Sequence, residues 1–148
     1  MPFPWRQATY VTGGLAGNFR GMTRAPSETI LLCEDQEEVR RVTHRILTSL
    51  GYDVVVAGCG QEALLLAEAW HGPIHLLLTD VVMPGMSGPS LARRLAASHP
   101  GMKVLYLSGY TDEVIVRHHG LQPGIALLQK PFTSETLSRK IREVLDAG

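Results

Sequence analysis

The sequence predicts an α/β fold in which a doubly wound, five-stranded parallel sheet carries helices on both faces. Five short apolar runs alternate along the chain with five segments of helical periodicity. Strand followed by helix, repeated in this way, favours parallel strands joined by right-handed crossovers. The strand runs are continuously apolar, as expected for a sheet that is covered on both faces.

The strands are predicted from apolar runs that stop at polar residues. The first is "TILLCED" (29–35), followed by "DVVVAG" (53–58), "IHLLLTDV" (74–81), "KVLYLSG" (103–109) and "IALLQKP" (125–131). Runs of this length, rich in Val, Ile and Leu, are typical of buried strands.

The segments between the strands have the spacing of amphipathic helices. In 37–52 the apolar positions at helical intervals are Val39, Val42, Ile46, Leu47 and Leu50, and Gly51 ends the helix. The other helices are predicted in 60–72, with its leucines in the core, and in 87–101, 112–120 and 133–146. Ser87 is the expected N-cap of the third helix. Thr133 or Ser134 caps the last one, without a strict capping box.

Length and composition limit the classes of protein to which the chain can belong. The 148 residues suit one domain, and 14 basic residues balance 14 acidic ones, so no basic excess indicates a nucleic-acid partner. No apolar run approaches the ~18 residues of a membrane span. We expect no signal peptide, because the first residues lack the charged, apolar and small-residue order of one. Cys33 and Cys59 have no metal-site spacing. We expect a reduced, cytoplasmic protein whose two cysteines are small core residues.

The first 28 residues differ from the remainder. They hold four glycines and three prolines and have no sustained period. We interpret 1–28 as a flexible linker or tail and 29–148 as the folded domain.

Polar side chains stand where the predicted strands end. Glu34 and Asp35 end the first strand, Asp80 the third, Ser108 the fourth and Lys130 the fifth. Ligands of open parallel sheets bind at the carboxyl ends of the strands. Because clustered carboxylates repel one another, the pattern predicts a bound cation, and oxygen ligands suit Mg²⁺.

This set of residues fits phosphoryl chemistry. A strand-end carboxylate can attack phosphorus to form an acyl phosphate. A lysine ammonium, a hydroxyl group and a divalent metal would stabilise the charge on the phosphoryl oxygens.

Residues 29–146 resemble a response-regulator receiver domain. The resemblance rests on four motifs in order: "CED", "TDVVMPGMSG", "LSGY" and "QKPF". It implies a flavodoxin-like strand order 2-1-3-4-5 and a phosphorelay in which Asp80 receives phosphate from a histidine kinase or a histidine phosphotransfer domain. It also implies that Mg²⁺ is held by Glu34, Asp35, Asp80 and the backbone carbonyl of Val82, with Ser108 and Lys130 contacting the phosphoryl group.

The sequence departs from the family pattern at output positions. Leu127 stands where an aromatic residue is common, so we expect the signal to be read from the loop after Asp80 and from "SGYTDE" (108–113). Val82 and Tyr110 occupy positions that influence how water reaches the phosphoryl group in this family. An apolar Val82 and a bulky Tyr110 predict slow self-dephosphorylation.

Other functions and contexts stay open at this point. A phosphatase of the haloacid-dehalogenase type uses similar residues but needs an acid at the position of Val82. A non-phosphorylated pseudo-receiver would be a binding module, and Asp80 alone could be a turn residue.

The sequence resembles the C-terminal receivers of hybrid sensor histidine kinases, so the chain is expected to be a stand-alone receiver or part of a larger protein. It would accept phosphate without being an enzyme, and the apolar residues 114–116 favour a homodimer or a kinase contact. No membrane contact is expected.

Overall fold

The computed structural model describes residues 28–109 and 125–147, where strands and helices alternate as predicted. The strands are β1 (Thr29–Cys33), β2 (Asp53–Ala57), β3 (Leu76–Asp80), β4 (Lys103–Ser108) and β5 (Leu127–Gln129). The helices are α1 (Glu37–Ser49), α2 (Gly60–Ala69), α3 (Gly88–Ala96) and α4 (Ser134–Asp146). Residues 1–27 of the predicted linker 1–28 and the predicted helix 112–120 lie outside the described residues.

The five strands form one parallel sheet of order β2-β1-β3-β4-β5, which confirms the predicted topology. Cys33 lies opposite Ala57 on one side and Thr79 on the other. Strand order reverses between β1 and β3, because the chain goes from β1 to β2 on one side and then to β3 on the other. The carboxyl ends of β1 and β3 therefore flank the position where a parallel sheet binds ligands.

The continuous apolar strands arise because successive side chains point to opposite, equally buried faces. One core contains Leu31, Val55 and Leu77 together with residues of α2 and α3. The other contains Ile30, Val54, Leu76, Leu78 and Leu105 together with residues of α1 and α4. Truncating one of these leucines to alanine would remove about 2–5 kcal/mol of stability.

Local signals define the helix ends. Gly51 has φ 99°, a left-handed conformation that suits glycine just after α1. The Ser87 hydroxyl accepts a hydrogen bond from the Ser90 N–H at 3.2 Å, as predicted for an N-cap. Thr133 and Thr136 form a reciprocal capping box at α4, so the expectation that no strict box is present was wrong. The Thr136 hydroxyl accepts from the Thr133 N–H, which is the role that Glu or Gln usually has.

Three predicted core positions are exposed instead. Val42 and Leu65 are each about half exposed. Each precedes a buried residue, Thr43 or Leu66, by one position, which rotates it about 100° around the helix and off the buried stripe. Cys59 is also exposed because it lies at the N-cap of α2.

The helices of the two described segments are all too short or too polar to cross a bilayer.

Candidate functional site

Three carboxylates from two neighbouring strands meet at the carboxyl end of the sheet. Asp80 is the last residue of β3, and Glu34 and Asp35 directly follow β1. One carboxylate oxygen from each lies within 4.8 Å of the others. The structure thus brings together the acids that the strand-end pattern selected, and the turn between β1 and α1 presents two of them.

Glu34 is held firmly and is fully buried. Its Oε2 accepts a hydrogen bond from the Gln36 N–H at 3.1 Å, and its backbone N–H donates to the Ala57 carbonyl at 3.1 Å. The neighbouring Asp35 is exposed. The pair therefore consists of one carboxylate fixed by the protein and one that faces solvent.

Lys130 places a cation between two of these acids, Asp80 and Glu34. Its Nζ lies 2.8 Å from Asp80 Oδ1 and 3.1 Å from Glu34 Oε1. The residue directly follows β5, and its backbone N–H donates to the Ser108 carbonyl at 2.7 Å. The peptide bond between Lys130 and Pro131 is cis. The end of β5 thus fixes where the ammonium group enters the site.

The charges at the site are imbalanced. Burial, and then the Glu34 carboxylate, raise the pKa of Asp80 well above its ordinary value, and Lys130 only partly opposes them. Burial by itself would lower the pKa of Lys130, but Asp80 and Glu34 more than offset it, so the pKa is raised and the side chain stays charged. One ammonium therefore neutralises the three acids incompletely.

A cavity of about 170 Å³ opens onto Asp80. Its lining residues include Asp35, Val82, Ser108 and Lys130. Ser108 is buried at the end of β4, and Val82 exposes about half of its side chain. The site therefore has room for a small group next to Asp80, in a cavity lined by both a hydroxyl and an apolar side chain.

The donor set fits a hard divalent cation. Asp80 Oδ2 is buried and has no hydrogen-bond partner among residues 28–109 and 125–147. A buried carboxylate oxygen without a partner is costly unless a cation neutralises it. The carboxylates of Glu34 and Asp35, which lie close to it, offer further oxygen ligands, the type preferred by Mg²⁺.

Comparison with known proteins identifies the family. The family model described as "Response regulator receiver domain" matches residues 30–142. This chain belongs to that family. As a receiver domain, it is a component of two-component signalling. Members of the receiver family interact with histidine kinases and phosphotransfer proteins.

Three relatives illustrate the range of contexts. The sensor kinase CckA of Brucella abortus is 38% identical over 120 residues, which are 81% of this chain but only 13% of that protein. The response regulator receiver protein CpdR of the same organism is 33% identical over 119 residues, which are 80% of this chain and 98% of that protein. A crystal structure of the receiver domain from the hybrid histidine kinase CckA superposes with a TM-score of 0.67 and 36% identity, covering 79% of this chain and 98% of that one.

Two positions that depart from the receiver pattern have different outcomes. Leu127 lies in β5 opposite Tyr106, and it packs, half-buried, against the core that contains residues of α2 and α3. Its role in output stays a prediction. Tyr110 lies outside the described residues, as does most of the predicted output loop.

Two residues that contribute to the site were not selected from the sequence. Gly88 packs so closely on β3 that a Cβ would overlap the Asp80 carbonyl oxygen, and its N–H donates to the Val81 carbonyl at 2.9 Å. The second glycine of "GMSG" is a sequence signal from which this role could have been predicted. Arg40 donates through Nη1 to the Glu34 carbonyl at 2.9 Å, and no local motif marks it.

Proposed function

We propose that Asp80 is the phosphoacceptor of a phosphorelay and that the donor is a phosphohistidine on a histidine kinase or a phosphotransfer domain. The observation that carries the proposal is the meeting of Asp80, Glu34, Asp35 and Lys130 at a small cavity. A carboxylate oxygen of Asp80 would attack phosphorus, and the phosphorus–nitrogen bond to the donor histidine would break. The imidazole keeps that electron pair, and Asp80 carries an acyl phosphate.

Lys130 has the main role in this step among the described side chains. Its ammonium contacts Asp80 Oδ1 at 2.8 Å, so it would orient the carboxylate before transfer and pair with a phosphoryl oxygen afterwards. The hydroxyl of Ser108, which lines the same cavity, would hydrogen-bond the bound phosphoryl group. These two donors support the assignment of Asp80, which is buried beside them, rather than Asp35, which is exposed to solvent.

Mg²⁺ is the metal that we propose for the site. Glu34, Asp35, Asp80 and the backbone carbonyl of Val82 would hold it, and it would supply positive charge to the phosphoryl oxygens. The charge imbalance around Asp80 supports this assignment because Lys130 alone leaves excess negative charge.

The phosphorylated domain would act as a switch and not as a catalyst with turnover. Val82 places a half-exposed apolar side chain beside Asp80, and such a side chain cannot orient an attacking water through a hydrogen bond. We therefore propose slow self-dephosphorylation. The lack of an acid at this position also disfavours a haloacid-dehalogenase mechanism.

The context of the domain follows from its relatives only as a proposal. The chain spans a small part of the kinase CckA and nearly all of CpdR, so both an attached and a separate receiver fit it. The resemblance to the CckA receiver favours a hybrid histidine kinase as the parent protein, with this domain in the cytoplasm and residues 1–28 as the linker that precedes it.

One experiment tests the acceptor directly. The protein is incubated with a small phosphodonor and Mg²⁺, and its intact mass is measured for the wild type, Asp80→Asn and Asp53→Asn. Asp53 is the matched control because it is a partly buried aspartate at the start of β2. We expect one acid-stable, base-labile phosphoryl group on the wild type and on Asp53→Asn, and none on Asp80→Asn. Equal labelling of Asp80→Asn would refute the assignment.

A further inference from the structure

Arg40 reaches from α1 into the turn that carries the acidic pair. Its Nη1 donates to the backbone carbonyl of Glu34 at 2.9 Å, and its side chain is partly buried. Its neighbour Arg41 instead points outward and forms an exposed ion pair with Glu37 at 3.3 Å. Two adjacent arginines on one helix therefore have different partners, and only one of them contacts the site.

The Arg40 guanidinium also lies against the turn after β2. A Cβ built on Gly58 would lie 3.1 Å from Arg40 Nη1, so the guanidinium packs closely over this glycine. The Gly58 N–H donates to Glu62 Oε1 at 2.7 Å, which fixes this turn to the buried first turn of α2. Arg40 is thus placed between a fixed turn and the Glu34 carbonyl.

A hydrogen bond to this carbonyl restricts the orientation of both acidic side chains. The turn between β1 and α1 contains only three residues, 34–36. The carbonyl of Glu34 belongs to the peptide group that joins Glu34 to Asp35, and a planar peptide group rotates as a unit. Fixing the direction of its oxygen therefore restricts ψ of Glu34 and φ of Asp35, and so the directions of both side chains.

We propose that Arg40 is a positioning residue that orients the Glu34–Asp35 peptide so that both carboxylates face a metal beside Asp80. This inference rests on the proposed function, because it assumes that the two acids hold Mg²⁺. A bond from outside the ligand set that orients metal ligands commonly changes metal affinity by about 10–100-fold when it is removed.

The sign of the effect separates positioning from simple charge. Arg40 is a cation near an acidic site, so as a bare charge it would repel Mg²⁺, and its removal would tighten metal binding. As a positioning residue it favours the binding geometry, and its removal would weaken metal binding. The two roles therefore predict opposite changes in the dissociation constant for Mg²⁺.

The test is calorimetric titration of MgCl₂ into the full chain for the wild type, Arg40→Gln, Arg40→Lys and Arg41→Gln. We expect Arg40→Gln to weaken Mg²⁺ binding about tenfold and Arg40→Lys, which keeps a charged donor, to recover most of the affinity. Arg41→Gln removes the same charge from the same helix without touching Glu34, and should change the affinity by less than about twofold.

A second variant leaves the charge unchanged and protects the test against loss of folding. Gly58→Ala would place a methyl group 3.1 Å from Arg40 Nη1, so the guanidinium would have to shift by a few tenths of an ångström. We expect this variant to weaken Mg²⁺ binding in the same direction as Arg40→Gln, but less. Urea unfolding without Mg²⁺ confirms that each variant is folded. Unchanged or tighter binding by Arg40→Gln, tighter binding by Gly58→Ala, or an equal loss in Arg41→Gln would overturn the positioning role while leaving the proposed function intact. A wild type that binds no Mg²⁺ would refute the metal assignment itself.

Discussion

The two ends of the sheet hold charged clusters of opposite character. At the carboxyl end, the acceptor cluster consists of Glu34, Asp35, Asp80 and Lys130. At the amino end, the arginine cluster consists of Glu28, Tyr52, Arg142 and Asp146. Both place acids around a single cation, but they differ in burial and in how the acids are satisfied.

In the acceptor cluster, two of the acids are almost fully buried, and Asp80 Oδ2 has no hydrogen-bond partner in the described part of the chain. In the arginine cluster, the guanidinium of Arg142 donates to both Glu28 oxygens, at 2.9 and 3.4 Å, and to the Tyr52 hydroxyl at 3.2 Å. The guanidinium geometry satisfies several acceptors at once.

The difference shows what each cluster does for the protein. The arginine cluster joins the residue before β1 to α4, and it stabilises the fold because its polar atoms are paired. The acceptor cluster gathers negative charge that the side chains of residues 28–109 and 125–147 neutralise only in part, so it opposes folding and favours a cation. Functional sites commonly reduce stability in this way.

The largest expected effect comes from removing the cation of the acceptor cluster. Lys130→Met would leave Asp80 and Glu34 buried without a positive partner, and we expect the free energy of unfolding in EDTA to fall by about 3 kcal/mol. Urea denaturation measures this loss. Saturating Mg²⁺ should restore part of it, whereas an equal loss with and without Mg²⁺ would contradict the assignment of the cluster to a metal.

Replacing one acid by its amide should have opposite signs at the two ends. Asp80→Asn removes a charge that burial and Glu34 disfavour, so we expect metal-free unfolding free energy to rise by about 1 kcal/mol. Glu28→Gln removes the charged acceptor of Arg142 and should lower it. Thermal denaturation of both variants in EDTA compares the signs, and two changes of the same sign would remove the distinction between the clusters.

Removing the cation of the arginine cluster should have a smaller effect than removing Lys130. Arg142→Met leaves Glu28 able to turn toward solvent, because the pair is partly exposed. We expect a loss of about 1 kcal/mol, since exposed ion pairs contribute little and hydrogen bonds to charged groups somewhat more. Phosphorylation of Asp80 should be unchanged, and loss of labelling in this variant would show that the two ends are coupled.

The sequence was sufficient to predict that the residues of the acceptor cluster meet, but not to predict the arginine cluster. The acids and Lys130 follow apolar runs, and parallel strands bring their carboxyl ends to one edge, so local patterns predict that they meet. Glu28 and Arg142 lie 114 residues apart, and no motif marks either one. The same limit applies to Arg40, whose partner is a backbone carbonyl that any residue could supply. Val42 shows a further limit, because helical spacing defines a stripe but not its edges.

The smallest expected effect on stability comes from the titration of His44, which belongs to neither cluster. It must be distinguished from the titration of the two clusters. His44 lies on α1, where its Nε2 is buried and has no hydrogen-bond partner among the described residues. Burial lowers the pKa of His44 below its ordinary value of 6.5. Because the unfolded chain then takes up a proton more readily than the folded one, stability is intact above pH 6.5 and declines as the pH falls below it. We expect His44→Gln to flatten this decline by roughly 0.5 kcal/mol, measured by urea denaturation between pH 7.5 and about pH 5. His71→Gln, at an exposed position, is the matched control, and an equal flattening in both variants would show that the titration does not arise from the burial of His44.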